Sequence, residues 1–320
     1  NGTLLAESGG TLNIEPTTFT NYSSGTLTGG TYAADAGGTI QLPTNDFTTT
    51  LAANITLSGS GSVVEAYDNS TSSYAPLEST LTTIAPTGSL SILGGRNYTT
   101  GNALTNDGVL QLGGGTLSSS SLTNSGTLEG YGTVTPQIAN SGQITATGGT
   151  LTASGGIQGT SGTITVASGA GLTVDAGSTV GTVSNSGTVT AQSGTLSLTK
   201  GIQGTSGTLV IDSGGTAAIG GASTVGTLVD NGSAAGALAL GGNSITVSND
   251  YQNASFGSGN AFNAHANVSG SGQILAAGTP GMSLTGTAIT SGGTVSDTTA
   301  TLNVGSLRVG GTTSADFDIN

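Results

Sequence analysis

The chain has 320 residues, of which 58 are Gly, 57 Thr and 41 Ser, while charged residues make up 6%, aromatics 4%, and Cys and Trp are absent. Helix-rich folds are excluded, because Gly costs about 1 kcal/mol per helical position relative to Ala, and the lack of Cys removes disulfides, thiolate nucleophiles and Cys-based metal sites. The formal charge of −13, with only Arg96, Lys200 and Arg308 positive, argues against nucleic acid and anionic membrane surfaces as partners, since both are held by clustered Lys and Arg.

No run of 18 apolar residues is present, so no membrane insertion is expected in this segment. The hydrophobic fraction of 34% and mean hydropathy of +0.12 are too high for a disordered polar tract. Large side chains are nevertheless too few for a thick globular core. A thin, elongated core satisfies both facts.

Short strands with period-two alternation begin at once, in Gly10-Thr11-Leu12-Asn13-Ile14, Gly25-Thr26-Leu27-Thr28 and Gly38-Thr39-Ile40-Gln41-Leu42. Irregular loops near 15–22, 43–50 and 65–87 interrupt them. These loops hold Pro16, Pro43, Pro76 and Pro86 and five aromatics: Phe19, Tyr22, Phe47, Tyr67 and Tyr74. The strand phrase resumes at Asn106-Asp107-Gly108-Val109-Leu110-Gln111-Leu112 and Asn124-Ser125-Gly126-Thr127-Leu128.

The central segment repeats. Gly156-Ile157-Gln158-Gly159-Thr160-Ser161-Gly162-Thr163 recurs unchanged at 201–208, an offset of 45, and 140–182 matches 185–227 at 23 of 43 positions. Where the two copies differ, apolar positions stay apolar: Ile144 faces Val189 in the alignment, Ile164 faces Leu209, Val174 faces Ile219. The exception is Leu172 against Ala217. Such drift is the mark of side chains stacked in inward columns, with Ile164 and Leu209 expected in one line. A second offset of 20 relates 141–145 to 161–165, so the 45-residue unit divides into two coils, of about 20 and 25 residues, each of three strands. Asn124, Asn140 and Asn185 recur at turns and are expected to form side-chain ladders between coils.

After 227 the pattern loosens. A fourth irregular stretch, 249–268, carries Tyr251, Phe256, Phe262 and the single histidine, His265. Ser271-Gly272-Gln273-Ile274-Leu275 restores the strand phrase. These features predict an all-β parallel β-helix (solenoid) over 1–300, with about three short strands per coil of 20–25 residues. An antiparallel sandwich array is the competing architecture.

Candidate chemistry is sparse. In a solenoid, insertions become loops on one face, which places Tyr67, Tyr74, Tyr251, Phe256 and Phe262 as partner contacts; the competing role for the same rings is to wedge the loops onto the rod. His265 stands alone in a polar segment and suits no triad. Asp316 and Asp318 share one side of a strand by spacing, the only pair resembling the carboxylates of a polysaccharide-cleaving enzyme. No EF-hand spacing or calcium-binding nonapeptide occurs, so no cofactor is expected beyond weak surface calcium.

Leu93-Gly94-Gly95-Arg96-Asn97-Tyr98-Thr99-Thr100-Gly101, continuing through Leu104 to Leu112, resembles the passenger-associated repeat of bacterial autotransporters. More generally the chain is similar to autotransporter and filamentous-haemagglutinin-like adhesin passengers. That resemblance implies a right-handed β-helix exported to the bacterial cell surface, acting in adhesion, biofilm or matrix, with no shared catalytic residue to carry over. Its implied partners are host or cell-surface glycans or proteins, or copies of itself. Leu302 to Thr313 looks like the opening strands of an Ig-like repeat, so 301–320 is read as the start of a further β module. The function expected is a non-enzymatic, extracellular adhesin or structural rod. The alternatives are a self-assembling filament subunit (a homopolymer) and a polysaccharide-processing β-helix enzyme.

Overall fold

A computed structural model describes residues 2–43, 48–69, 71–232 and 237–253, together with the strands Val268–Ser269, Gln273–Ala276, Gly281–Leu284, Thr301–Asn303 and Ser306–Val309; side chains are described as far as residue 249. The chain divides into two units, Asn1–Gly155 and Gly156–Asn320. Each is a parallel β-solenoid.

Alternation builds the strands. In Ser89–Leu93 the residues Leu90 and Ile92 are buried while Ser89, Ser91 and Leu93 are half-buried, as period-two geometry requires when one face is covered. A single strand of this kind buries little by itself. Stacking adds a neighbour on either edge, which pairs the backbone groups and covers the apolar side chain with its equivalents. In the first unit one such column runs Leu4, Tyr32, Ile55, Leu90, Leu110, Leu128, Ile144, every step a parallel pairing. The early steps are long, 35 residues between Ile55 and Leu90, because insertions leave the coil there; the last two are 18 and 16.

Three columns define the second unit. One holds Ser178, Leu196, Ala217, Leu238 and Val268. A second holds Ile164, Val183 and Ile202. The third holds Leu172, Val189, Leu209, Leu228, Tyr251, Met282 and Leu307. Three columns mean three strands per coil. They also correct one expectation: Ile164 and Leu209, 45 residues apart, stand in different columns. Two coils from Ile164 to Ile202 take 38 residues, and the remaining seven carry the chain onto the next face. Each copy of the sequence repeat is therefore turned by one face. Leu172 falls in the third column and its counterpart Ala217 in the first, and both are buried.

Local geometry survives this turn. The Ile157 N–H donates to Ser178 Oγ at 2.8 Å and Gln158 Nε2 to the Gly177 carbonyl at 2.9 Å. In the second copy the Ile202 N–H donates to Ser223 Oγ at 3.1 Å and Gln203 Nε2 to the Ala222 carbonyl at 2.7 Å.

The expected asparagine ladder exists in part. Asn106 Nδ2 donates to Asn124 Oδ1 at 2.7 Å, and Asn124 Nδ2 to Asn140 Oδ1 at 2.8 Å, all three buried. They continue a column that begins Leu27, Leu51, Ile84, so Asn106 Oδ1 meets an isoleucine register and has no partner. Asn185 is not a rung. Val166 pairs with it from the preceding coil, and its Oδ1 instead accepts the Gly187 N–H at 3.1 Å, while its Nδ2 donates to the Thr208 carbonyl at 2.9 Å.

At the far end, Thr301–Asn303 and Ser306–Val309 pair in parallel with Gln273–Ala276 and Gly281–Leu284. Those two strands continue the solenoid ladder within the stretch assigned to an Ig-like module; residues 310–320 lie outside the described residues. Among the described residues, no helix is long and apolar enough to cross a membrane.

Candidate functional site

Four strands within the first 76 residues stand apart from the main sheet and make a surface of their own. Thr11–Asn13, Thr39–Leu42, Val63–Asp68 and Ser73–Pro76 form a separate four-stranded sheet, the first three parallel and the last antiparallel. Its inner positions hold the buried Ile40, Leu42, Val64 and Ala66, with Asp68 buried at the end of the third strand and accepting from Thr71 Oγ1 at 2.7 Å. At its outer positions, Asn13, Gln41 and Glu65 fall in one register across three strands. Gln41 Nε2 donates to Glu65 Oε1 at 2.9 Å, and Asn13 Nδ2 donates to Glu15 Oε1 at 2.6 Å.

The stretch 65–87 is more regular than a loop. Val63–Asp68 turns back as an antiparallel hairpin in which Tyr67 opposes Tyr74. Their rings meet edge to face, centroids 5.2 Å apart and planes at 74°, a favoured aromatic arrangement. Burial first, then the carboxylates of Glu15 and Glu65 and the Tyr67 ring, push the Tyr74 phenol above its usual range. Its hydroxyl stays protonated, a donor among acceptors. The result is a sheet face carrying two half-exposed tyrosines, two carboxylates and two amides.

A short helical turn, Leu77–Thr80, follows Pro76 and anchors the hairpin. Arg96 is the anchor's centre. Its Nη2 contacts Glu78 Oε1 and donates to the Ser62 carbonyl at 2.9 Å; Nε donates to Ser62 Oγ at 3.2 Å; Nη1 donates to the Asn97 carbonyl. Ser62 immediately precedes the hairpin's first strand, so one guanidinium ties both ends of the insertion to the coil at 96–97. Thr80 Oγ1 adds a bond to the Thr48 carbonyl at 2.8 Å, and Asn102 Nδ2 one to the Ser79 carbonyl at 3.0 Å. Beneath lies Tyr98, fully buried, with its phenol shifted upward by burial and by Glu78, against the opposing pull of Arg96. The resemblance stretch 93–101 is thus the clamp that holds the tyrosine face.

Of the five aromatic contacts expected from sequence, the structure brings Tyr67 and Tyr74 together. Tyr251 lies in the strand Ser244–Asn253 of the other unit, paired with Leu228 and Met282. Phe256 and Phe262, like His265, Asp316 and Asp318, lie outside the described residues. Sequence reading missed Glu15, Glu65, Asn13 and Gln41, whose signal was their alternation: Asn13 and Glu15 are two apart, and Gln41 and Glu65 hold matching outward positions one coil apart.

Among the described residues no three His, Asp or Glu side chains gather as a metal site. Comparison with known proteins finds no matching family model, no similar curated protein and no similar solved structure.

Proposed function

We propose that this chain is a non-enzymatic, extracellular bacterial surface protein, an adhesin or structural rod, that engages cell-surface glycans through the outer face of its four-stranded sheet. The observation that carries the reading is the grouping of Tyr67, Tyr74, Glu15 and Glu65 on an open β face. Tyrosine rings offer flat apolar area at a small cost in side-chain entropy, and carboxylates and amides accept and donate to sugar hydroxyls. The supporting solenoid suits display. Its backbone is paired coil to coil, and its surface is covered by Thr and Ser hydroxyls rather than charge. The acidic balance favours neutral over anionic glycans.

A glycan array probed with the whole chain and with the Tyr67→Ala/Tyr74→Ala double variant tests this. Binding to neutral glycans that the variant loses supports the reading; equal binding by both proteins, or none by either, refutes it. A hydrolase would instead release reducing ends from the bound glycan and lose that turnover in Glu65→Gln.

A further inference from the structure

Away from that sheet, one tyrosine stands out. Tyr131 is 38% exposed, and Leu5 is the other large apolar side chain on the described surface. The chain clears space for its ring in the coils on either side of it. A Cβ placed on Gly149 would stand 2.9 Å from Tyr131 Cδ2 and Cγ, one on Gly148 3.4 Å from Cδ1, and one on Gly114 3.0 Å from Cε2. Side chains at Gly149 or Gly114 would crowd the ring, and one at Gly148 would touch it. Gly114 and Gly148 also hold φ of +100° and +76°, conformations that other residues adopt at a cost. The ring therefore lies on bare backbone and keeps its remaining surface open to solvent.

Polar groups flank it. Glu129, two residues earlier and half-buried, pairs in register with Gln111 on one neighbouring coil and Thr145 on the other, and the bend at Gly130, φ +106°, separates it from Tyr131. Ser91 Oγ donates to Gln111 Oε1 at 3.1 Å, which fixes the amide with its Nε2 still available. An aromatic shelf beside one carboxylate and one amide donor is the chemistry that recognises a pyranose: the ring takes the sugar's C–H face, and Glu129 and Gln111 take its hydroxyls.

We propose that Tyr131, with Glu129 and Gln111, forms a second glycan subsite, selective for a neutral pyranose whose C–H bonds lie axial on one face. Uronates and sialosides are disfavoured, because Glu129 repels their carboxylates and Arg96, the cation of the same unit, is committed to Glu78 and Ser62. The subsite shares no residue with the Tyr67–Tyr74 face and stands or falls separately.

Cellohexaose is the probe, its glucose rings presenting axial C–H faces, with oligogalacturonate as the anionic comparison. Saturation-transfer NMR on the whole chain reads contact, and titration gives the affinity. The expected result is cellohexaose binding that persists in Tyr67→Ala/Tyr74→Ala, weakens about tenfold in Tyr131→Ala, and is retained within about threefold in Tyr131→Phe. Glu129→Gln with Gln111→Ala, which leaves the shelf intact, weakens it similarly. Hydrogen exchange over Thr127–Val134 checks that the coil is unchanged. Cellohexaose affinity equal in Tyr131→Ala and the parent, no binding by the parent, or tighter binding of oligogalacturonate overturns the subsite.

Discussion

Asp230 sits where the sequence repeat otherwise places asparagine, and replacing it by asparagine should stabilise the second unit in a pH-dependent way. Asn140, Asn185 and Asp230 follow one another at intervals of 45. Asn185 satisfies both ends of its amide, as described above. Asp230 reproduces half of that: its Oδ1 accepts the Gly232 N–H at 3.1 Å, while Oδ2 is buried with no partner, and the residue is 0% exposed. Burial pushes its carboxyl up to about 6 from 3.8, partly offset by the Gly232 bond. A raised folded-state pKa means that the native form binds the extra proton. Stability is then full at low pH and falls as pH rises from about 4 through about 6. Two units of pKa correspond to about 3 kcal/mol.

Asp230→Asn removes the charge and keeps the shape, so the variant should gain about 1–3 kcal/mol at pH 7.5 and little at pH 4. Repeat arrays often unfold in segments, so the assay is hydrogen exchange over Ile202–Ile219 and Ser223–Asp230 in both proteins at both pH values, with opening free energies referred to intrinsic exchange rates. A variant less stable at pH 7.5, or a shift identical at the two pH values, would refute the reasoning.

Three further outcomes follow from the same geometry. Asn124→Ala removes the middle of the amide ladder and strands partners on Asn106, Asn140 and the Gln143 carbonyl; it should cost about 3 kcal/mol or more by denaturant midpoint at unchanged m-value. Gly115→Ala puts a Cβ 1.8 Å from the Arg96 carbonyl, whereas a Cβ on Gly95 meets nothing within 4 Å; the first should destabilise by more than about 3 kcal/mol and the second, through its φ of +73°, by about 1 kcal/mol. Arg96→Gln removes the ion pair with Glu78 and loosens the bonds to Ser62, so protease cleavage within 69–80 should accelerate severalfold while strands Thr127–Val134 and Gln143–Ala153 remain protected.

Period-two alternation marked most strands in the sequence, and the 45-residue identity pointed to stacking, because both are one-dimensional patterns. What the sequence hid was phase. Ile164 and Leu209 align as letters, yet the coil closes in 19 residues at Ile164–Val183 and again at Val183–Ile202, and coil length depends on how tightly Gly and Asn turns close each corner. The same slip explains why Asn185 leaves the ladder that Asn124 and Asn140 share. Tyr67 and Tyr74 were visible because they break the pattern; Tyr131 was not, because it sits inside a repeated strand phrase, at an irregularity between Gly130 and Gly132, and its meaning comes from glycines on neighbouring turns. Glu15 and Glu65 required the register of a second sheet that no local signal announces.

The rotation of each repeat by one face bears on how such a chain lengthens. Two sides of the coil accept the same octapeptide with the same bonds, so a duplicated segment need not measure a whole number of windings to be accommodated. A copy can land on the next face, and the interior still closes. Genetic period and structural pitch become independent quantities, leaving length and surface pattern free to diverge while the packing rule stays fixed.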